Sequence, residues 1–145
     1  MKIKLKELTV DNWEECIGLS VSDQQKSFVA DNSYSLLESK FWEGLYPLAI
    51  YYEELMVGFL MYGIESETGR MEMSRFMIDE KYQGKGYGRL AIQQLLELVR
   101  KKIGSIEFYT SAEPDNVNAI KLYESIGFEK TGEIMWDEIV LKIQL

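Results

Sequence analysis

The stretch MIDEKYQGKGYGRLAIQQLLELV, residues 77–99, decides the fold. It opens as the end of an apolar strand, passes through three glycines, and continues with helical periodicity. Ala91, Leu95, Leu98 and Val99 share one face, widened by Ile92, Leu96 and Ile103, while Gln93, Gln94, Glu97, Arg100 and Lys101 lie opposite. That spacing predicts a helix of about four turns, with Gly104 as its C-cap. Gly84, Gly86 and Gly88 sit where strand becomes helix. A residue without Cβ lets the backbone turn tightly and approach another group. The first amides of a helix have no intrahelical partner and carry the positive end of its dipole, so the junction forms an anion site. Lys81, Lys85 and Arg89 add positive charge around it. A phosphate or diphosphate is the natural occupant.

Working outward, residues 2–8 (KIKLKEL) alternate as a first strand, and Asp11 or Asn12 can cap a short helix to about Ser20. Residues 27–45 read as one or two irregular helices ending near Gly44. Pro47 opens a strand, LAIYY, followed by MVGFLMYGI and RMEMSRFMID. Short turns join these three into an antiparallel meander. Beyond the long helix come a strand (SIEFYTSA), a second amphipathic helix (DNVNAIKLYESIGF, capped by Asp115 or Asn116 and ended by Gly127), and two closing strands in residues 129–145. The expectation is a single α/β domain over residues 1–145, with helices flanking a mixed sheet.

Composition narrows the chemistry. Sixteen Lys and Arg against 24 Asp and Glu leave a net charge of −8, which argues against a nucleic-acid partner. There is no histidine and Cys16 is the only cysteine. A Ser-His or Cys-His pair is therefore impossible, an internal disulfide is excluded, and a metal site is not expected. Cys16 reads as a core residue. No run is long and apolar enough for a membrane span, and the N-terminus does not resemble a signal peptide, so the cytoplasm is the expected location.

Three phosphate-binding patterns compete for the glycine turn. A P-loop needs Ser or Thr after Gly-Lys, and Gly86 follows Lys85. Gly86, Gly88 and Ala91 match a dinucleotide fingerprint, but that motif belongs to a parallel βαβ unit. Gln83, Gly86 and Gly88 match Q/R-x-x-G-x-G/A. One strand downstream, Asn116, Ala119, Leu122, Tyr123, Gly127 and Phe128 match N-x-x-A-x-x-L-Y-x-x-x-G-F. Together, in this order, the two motifs resemble those of the GCN5-related N-acetyltransferases (GNAT). Within the family the chain is most similar to bacterial spermine/spermidine acetyltransferases, through AIYYEELMVGFLMYG, RFMIDEKYQGKGYG, NAIKLYESIGF and the N-terminal VSDQQKSFVADN.

The resemblance implies a GNAT fold whose sheet splays into a V at a β-bulge near Arg75 and Phe76. It implies acetyl-CoA as cosubstrate and direct acetyl transfer to a primary amine, a polyamine above all, in a ternary complex. The coenzyme would meet the strand amides of Phe76, Met77 and Ile78. Its pyrophosphate would rest on Gln83, Gly84, Lys85, Gly86, Tyr87, Gly88 and Arg89, with Asn116 and Tyr123 close by. Tyr123 would protonate the leaving thiolate. Related polyamine enzymes carry a glutamate at the position of Ser74; here Glu72, two residues earlier, is the candidate base. Glu72, Asp23 and Asp31 are the candidate substrate carboxylates, set among Phe28, Tyr34, Phe41 and Trp42. Trp13, Trp42 and Trp136 are core or substrate wall. Alternatives are another amine acceptor, such as an aminoglycoside or a protein N-terminus, and a non-catalytic acyl-CoA sensor. A homodimer formed through the last strand, IVLKIQL, is a further expectation.

Overall fold

The computed structural model describes residues 2–145. The elements follow the order β1 (Ile3–Glu7), α1 (Trp13–Ile17), α2 (Asn32–Phe41), β2 (Leu45–Tyr52), β3 (Leu55–Ile64), β4 (Met71–Ile78), α3 (Tyr87–Ile103), β5 (Glu107–Ala112), α4 (Val117–Ile126), β6 (Glu129–Met135) and β7 (Glu138–Gln144). Single 3₁₀ turns occupy Asp23–Gln25 and Glu80–Tyr82. The seven strands form one sheet in the order β1-β2-β3-β4-β5-β7-β6. All neighbours are antiparallel except β4 and β5, which α3 connects.

Both faces of the sheet are covered, and strand alternation divides the core accordingly. Leu48 and Ile50 of β2 and Leu60 of β3 pack with Ala91, Ile92, Leu95 and Val99 of α3. The intervening Ala49, Tyr51, Phe59 and Met61 pack with Cys16 of α1 and with Leu36 of α2. The face chosen for α3 from periodicity is the buried one, except that Ile103 is exposed.

Several details depart from the sequence reading. Strand β2 begins at Leu45, so Pro47 lies inside it. Pairing with β1 stops at Glu7 and Leu48, which leaves no strand facing the missing N–H of Pro47. The irregularity in β4 falls on Ser74: Met61 pairs with Arg75 and Tyr62 with Met73, so Ser74 is the extra residue. Finally, β7 lies between β5 and β6. IVLKIQL is therefore internal and has no free edge for a partner. The free edges are β1 and β6.

The parallel ladder between β4 and β5 is short. Only Glu72 with Tyr109 and Met73 with Thr110 pair. Past the Ser74 bulge the strands part, and the C-terminal halves of β4 and β5 form the two sides of a V.

Candidate active site

The V opens into a cleft of about 1060 Å³. One half is bounded by the end of β4, the turn into α3, and α4. The other is bounded by the segment after α1, the C-terminal end of α2, and the β6–β7 turn.

The first half is built largely from backbone. Gly84 and Gly86 have φ of +79° and +85°, and a Cβ at either would meet nothing within 4 Å. The left-handed region costs glycine little, and the open space lies where an anion must enter. Gly86 is the N-cap of α3 and makes no side-chain cap bond. None of the amides from Gly84 to Arg89 donates to a backbone or side-chain acceptor. Gly88 has a different reason: a Cβ there would stand 2.8 Å from Cζ of Phe76, so its absence lets α3 close onto β4. Gln83 turns its side chain back onto the loop, donating to the Ile78 carbonyl at 2.8 Å and to Gln25 Oε1 at 2.9 Å. Buried Asp79 accepts from the amides of Ser20 and Lys81, each at 3.0 Å, and ties the turn to the segment after α1. This arrangement fits the diphosphate of a coenzyme: donors unpaired, Cβ atoms absent, helix dipole aligned.

The side chains at the apex suit acid–base chemistry. Tyr123 on α4 is buried between Phe76, at 6.4 Å between ring centroids, and Phe128, at 5.8 Å. Burial pushes its phenol well above the ordinary value, against an opposing hydrogen bond with Thr110. It therefore stays protonated and able to donate. Glu72 is pushed up to about 7 by burial first, then by Glu65, with Arg75 opposing. A carboxylate poised near neutrality can accept a proton and release it again. Arg75 pairs with Glu38 at 3.2 Å across the cleft wall and donates to the Ser74 carbonyl at 2.9 Å, while its Nε–H is buried without an acceptor.

Of the residues named from sequence, Glu72, Phe76, Met77, Ile78, Gln83, Gly84, Gly86, Gly88, Arg89, Asn116 and Tyr123 line the cleft. Asn116 occupies the N-cap position of α4 but makes no cap bond. Lys85 is exposed outside the lining, and the Tyr87 ring stacks on Tyr52 at 4.8 Å, so for these two only the amides face the turn. Asp23 and Asp31 do not line the cleft. Asp23 is exposed and paired with Lys26 at 2.9 Å. Asp31 caps α2, accepting from the Tyr34 amide and the Ser33 hydroxyl at 2.8 Å each, which holds its carboxyl below the usual range. Trp42 and Trp136 are cleft wall. Cys16 is fully buried and pushed up to about 12 by that burial, so it is no nucleophile. Glu138 and Ser111 line the cleft and were missed from sequence. No local signal marks them, because β7 reaches the site only through its pairing with β5.

Comparison with known proteins accords with this geometry. Residues 7–128 match the Acetyltransferase (GNAT) family. The spermine/spermidine N(1)-acetyltransferase of Bacillus subtilis (strain 168) is 34% identical over 140 residues, 92% of each chain. Among solved structures, a spermidine N-acetyltransferase from Vibrio cholerae in complex with CoA and spermine superposes with a TM-score of 0.75 at 18% identity, covering 99% of this chain and 94% of that one. An aminoglycoside acetyltransferase in complex with coenzyme A gives 0.79 at 17% identity, covering 99% and 95%. With both motifs in place around one cleft and the family match spanning most of its length, the chain belongs to the Acetyltransferase (GNAT) family.

Proposed function

We propose that this protein transfers the acetyl group of acetyl-CoA to a primary amine of a polyamine such as spermidine or spermine. The observation that carries the reading is the meeting, in one cleft, of the unpaired α3-turn amides with Tyr123 and Glu72. The amine class draws its support from the Bacillus subtilis relative named for spermine and spermidine, and from the carboxylates and tryptophans of the other half of the cleft.

Acetyl-CoA supplies an activated acyl group on a thiol leaving group. The amides of Gly84 to Arg89 hold its diphosphate, with Gln83 bracing the turn and Arg89 adding charge at its end. The amides of Phe76 and Ile78, which alternate away from β3 into the splay, align the pantetheine arm and stabilise the negative charge that develops on the acyl oxygen; the amide of Met77, named from sequence with them, is turned toward Phe59 of β3 and is not free. Asn116 borders the same channel. Glu72 takes a proton from the acceptor ammonium, directly or through water, so that the free amine can attack. As the new C–N bond forms and the C–S bond breaks, Tyr123 donates its proton to the departing sulfur and regains one from the acylated nitrogen, directly or through water, so that CoA leaves as the thiol and the proton held by Glu72 goes to solvent. Each step needs only groups that the cleft brings together.

The setting follows from the same reading. No described helix is long and apolar enough to cross a membrane. A reduced thiol at Cys16 and a soluble coenzyme suit the cytoplasm. If two copies associate through a sheet edge, β1 or β6 provides it.

A panel of amines with acetyl-CoA, read by release of free thiol, tests the proposal. Saturation by spermidine or spermine at about 1 mM or below is the expected result. An aminoglycoside or an N-terminal peptide turned over with a higher kcat/KM would replace the acceptor. Calorimetric binding of acetyl-CoA without turnover of any amine would leave a sensor instead.

A further inference from the structure

Five carboxylates line the acceptor half of the cleft: Glu38, Glu43, Glu65, Glu72 and Glu138. Their surroundings separate them. Glu38 is neutralised by Arg75 at 3.2 Å. Glu65 accepts the amides of Glu67 and Thr68, each at 2.8 Å, and closes the β3–β4 turn. Glu72 occupies the base position. Glu43 is exposed at the rim after α2. Glu138 is the half-buried one that is neither ion-paired nor capping a turn. Its Oε1 accepts from the Ser111 hydroxyl at 2.6 Å, which fixes its direction without cancelling its charge.

The turn that carries Glu138 into the site is unusual. Trp136 and Asp137 have φ of +53° and +60°. A bulky residue in the left-handed region is an outlier, and an Asn-Gly pair would be the relaxed choice for such a hairpin. The result is an indole, 46% exposed, that lines the cleft together with Glu138. A carboxylate and an indole lining one cleft from the same turn suit an ammonium on methylene spacers: the carboxylate supplies a charge-assisted bond, and the ring supplies cation–π attraction and apolar contact.

We propose that Glu138, aimed by Ser111 and flanked by Trp136, receives a second ammonium of the acceptor and so makes the enzyme select amines with two or more positive charges. The inference rests on the polyamine reading above. It adds that recognition of the distal charge comes from the β6–β7 turn, across the V from Glu72. The charge of Glu138 is also felt at Glu72 and Tyr123, where it opposes ionisation of both. A distal ammonium seated on it relieves that field.

The experiment compares spermidine with 1-aminobutane as acceptors for the wild type and for Glu138→Gln, which keeps an acceptor for Ser111 and nearly the same volume. The expected result is a wild-type preference for spermidine that falls about tenfold in the variant, mainly through KM for spermidine, with an unshifted Tm. An equal loss on both acceptors, or no loss on either, overturns the inference while leaving the polyamine reading intact. A wild type that does not prefer spermidine to 1-aminobutane overturns that reading and the inference with it. Trp136→Leu serves as a second variant: it should lower the same preference by about threefold. An unchanged preference in both variants removes the β6–β7 turn from recognition.

Discussion

The two halves of the cleft are made differently. The coenzyme half is mostly main chain: amides at the head of α3, strand amides past the Ser74 bulge, and glycines whose missing Cβ atoms clear the way. The acceptor half is side chains drawn from α2, β4, β5 and β7: Glu38, Glu72, Ser111 and Glu138, with Trp42 and Trp136 as walls. A site made of backbone is indifferent to most side chains on it, save where a Cβ would enter the anion's space at Gly84 and Gly86 or strike Phe76 at Gly88. A site made of side chains can change its ligand by exchanging a residue or two on the same scaffold.

The sharpest way to break this contrast is at Glu72, where a side chain is proposed to do chemistry. The wild type should show an acidic limb in kcat/KM near pH 7; Glu72→Gln should lower kcat/KM by about 10²-fold and abolish that limb. A limb retained in the variant would belong to another group. The same residue makes a stability prediction. Between 4.5 and about 7 the folded chain keeps the Glu72 proton that the unfolded chain has released. Folding stability therefore falls as pH rises through that window and stays lower above it. Glu72→Gln removes the penalty and should be more stable than the wild type at pH 8 by about 3 kcal/mol, read by denaturant unfolding.

Next in size is Tyr123→Phe. It should lower kcat by more than about tenfold with little change in acetyl-CoA affinity, because the ring and its contacts with Phe76 and Phe128 remain. Unchanged turnover with chemistry rate-limiting would make Tyr123 a packing residue. On the backbone side, Gly86→Val puts a β-branched residue at a φ of +85° and should weaken acetyl-CoA binding about tenfold by calorimetry, with a smaller effect on KM for the amine. If amine KM rose as steeply, the two halves would not be separable. The smallest expected effect is that of Asp31→Ala. Losing the α2 cap should cost about 1 kcal/mol and leave the amine KM within about twofold. A tenfold rise in that KM would return Asp31 to the site.

The same contrast explains what could be read before the fold was known. The glycine turn, α3 and the meander were legible because each depends on neighbours in sequence: period, cap and turn chemistry. Asn116 and Tyr123 were legible only through the second motif, since a tyrosine on a helix otherwise reads as core. The acceptor half was legible in kind, as carboxylates among aromatics, but not in detail. Asp23 and Asp31 have the right chemistry, yet one pairs with Lys26 and the other caps α2. Glu138 stands 66 residues from Glu72 in sequence and reaches the cleft only because β7 inserts between β5 and β6. The position of the bulge, Ser74 rather than its neighbours, depends on the register against β3, which alternation alone does not set.

Two rungs of parallel ladder, Glu72–Tyr109 and Met73–Thr110, join the strands on either side of the V. Beyond them β4 and β5 no longer pair, and the polypeptide leaves its own sheet unfinished. A pantetheine chain carries amides at peptide-like intervals and can serve there as a guest strand. Loading the coenzyme would then suture two leaves of the molecule that otherwise meet along a narrow seam. Hydrogen exchange at residues 74–78 should slow sharply when the thioester is added, and the protein should melt later as one body.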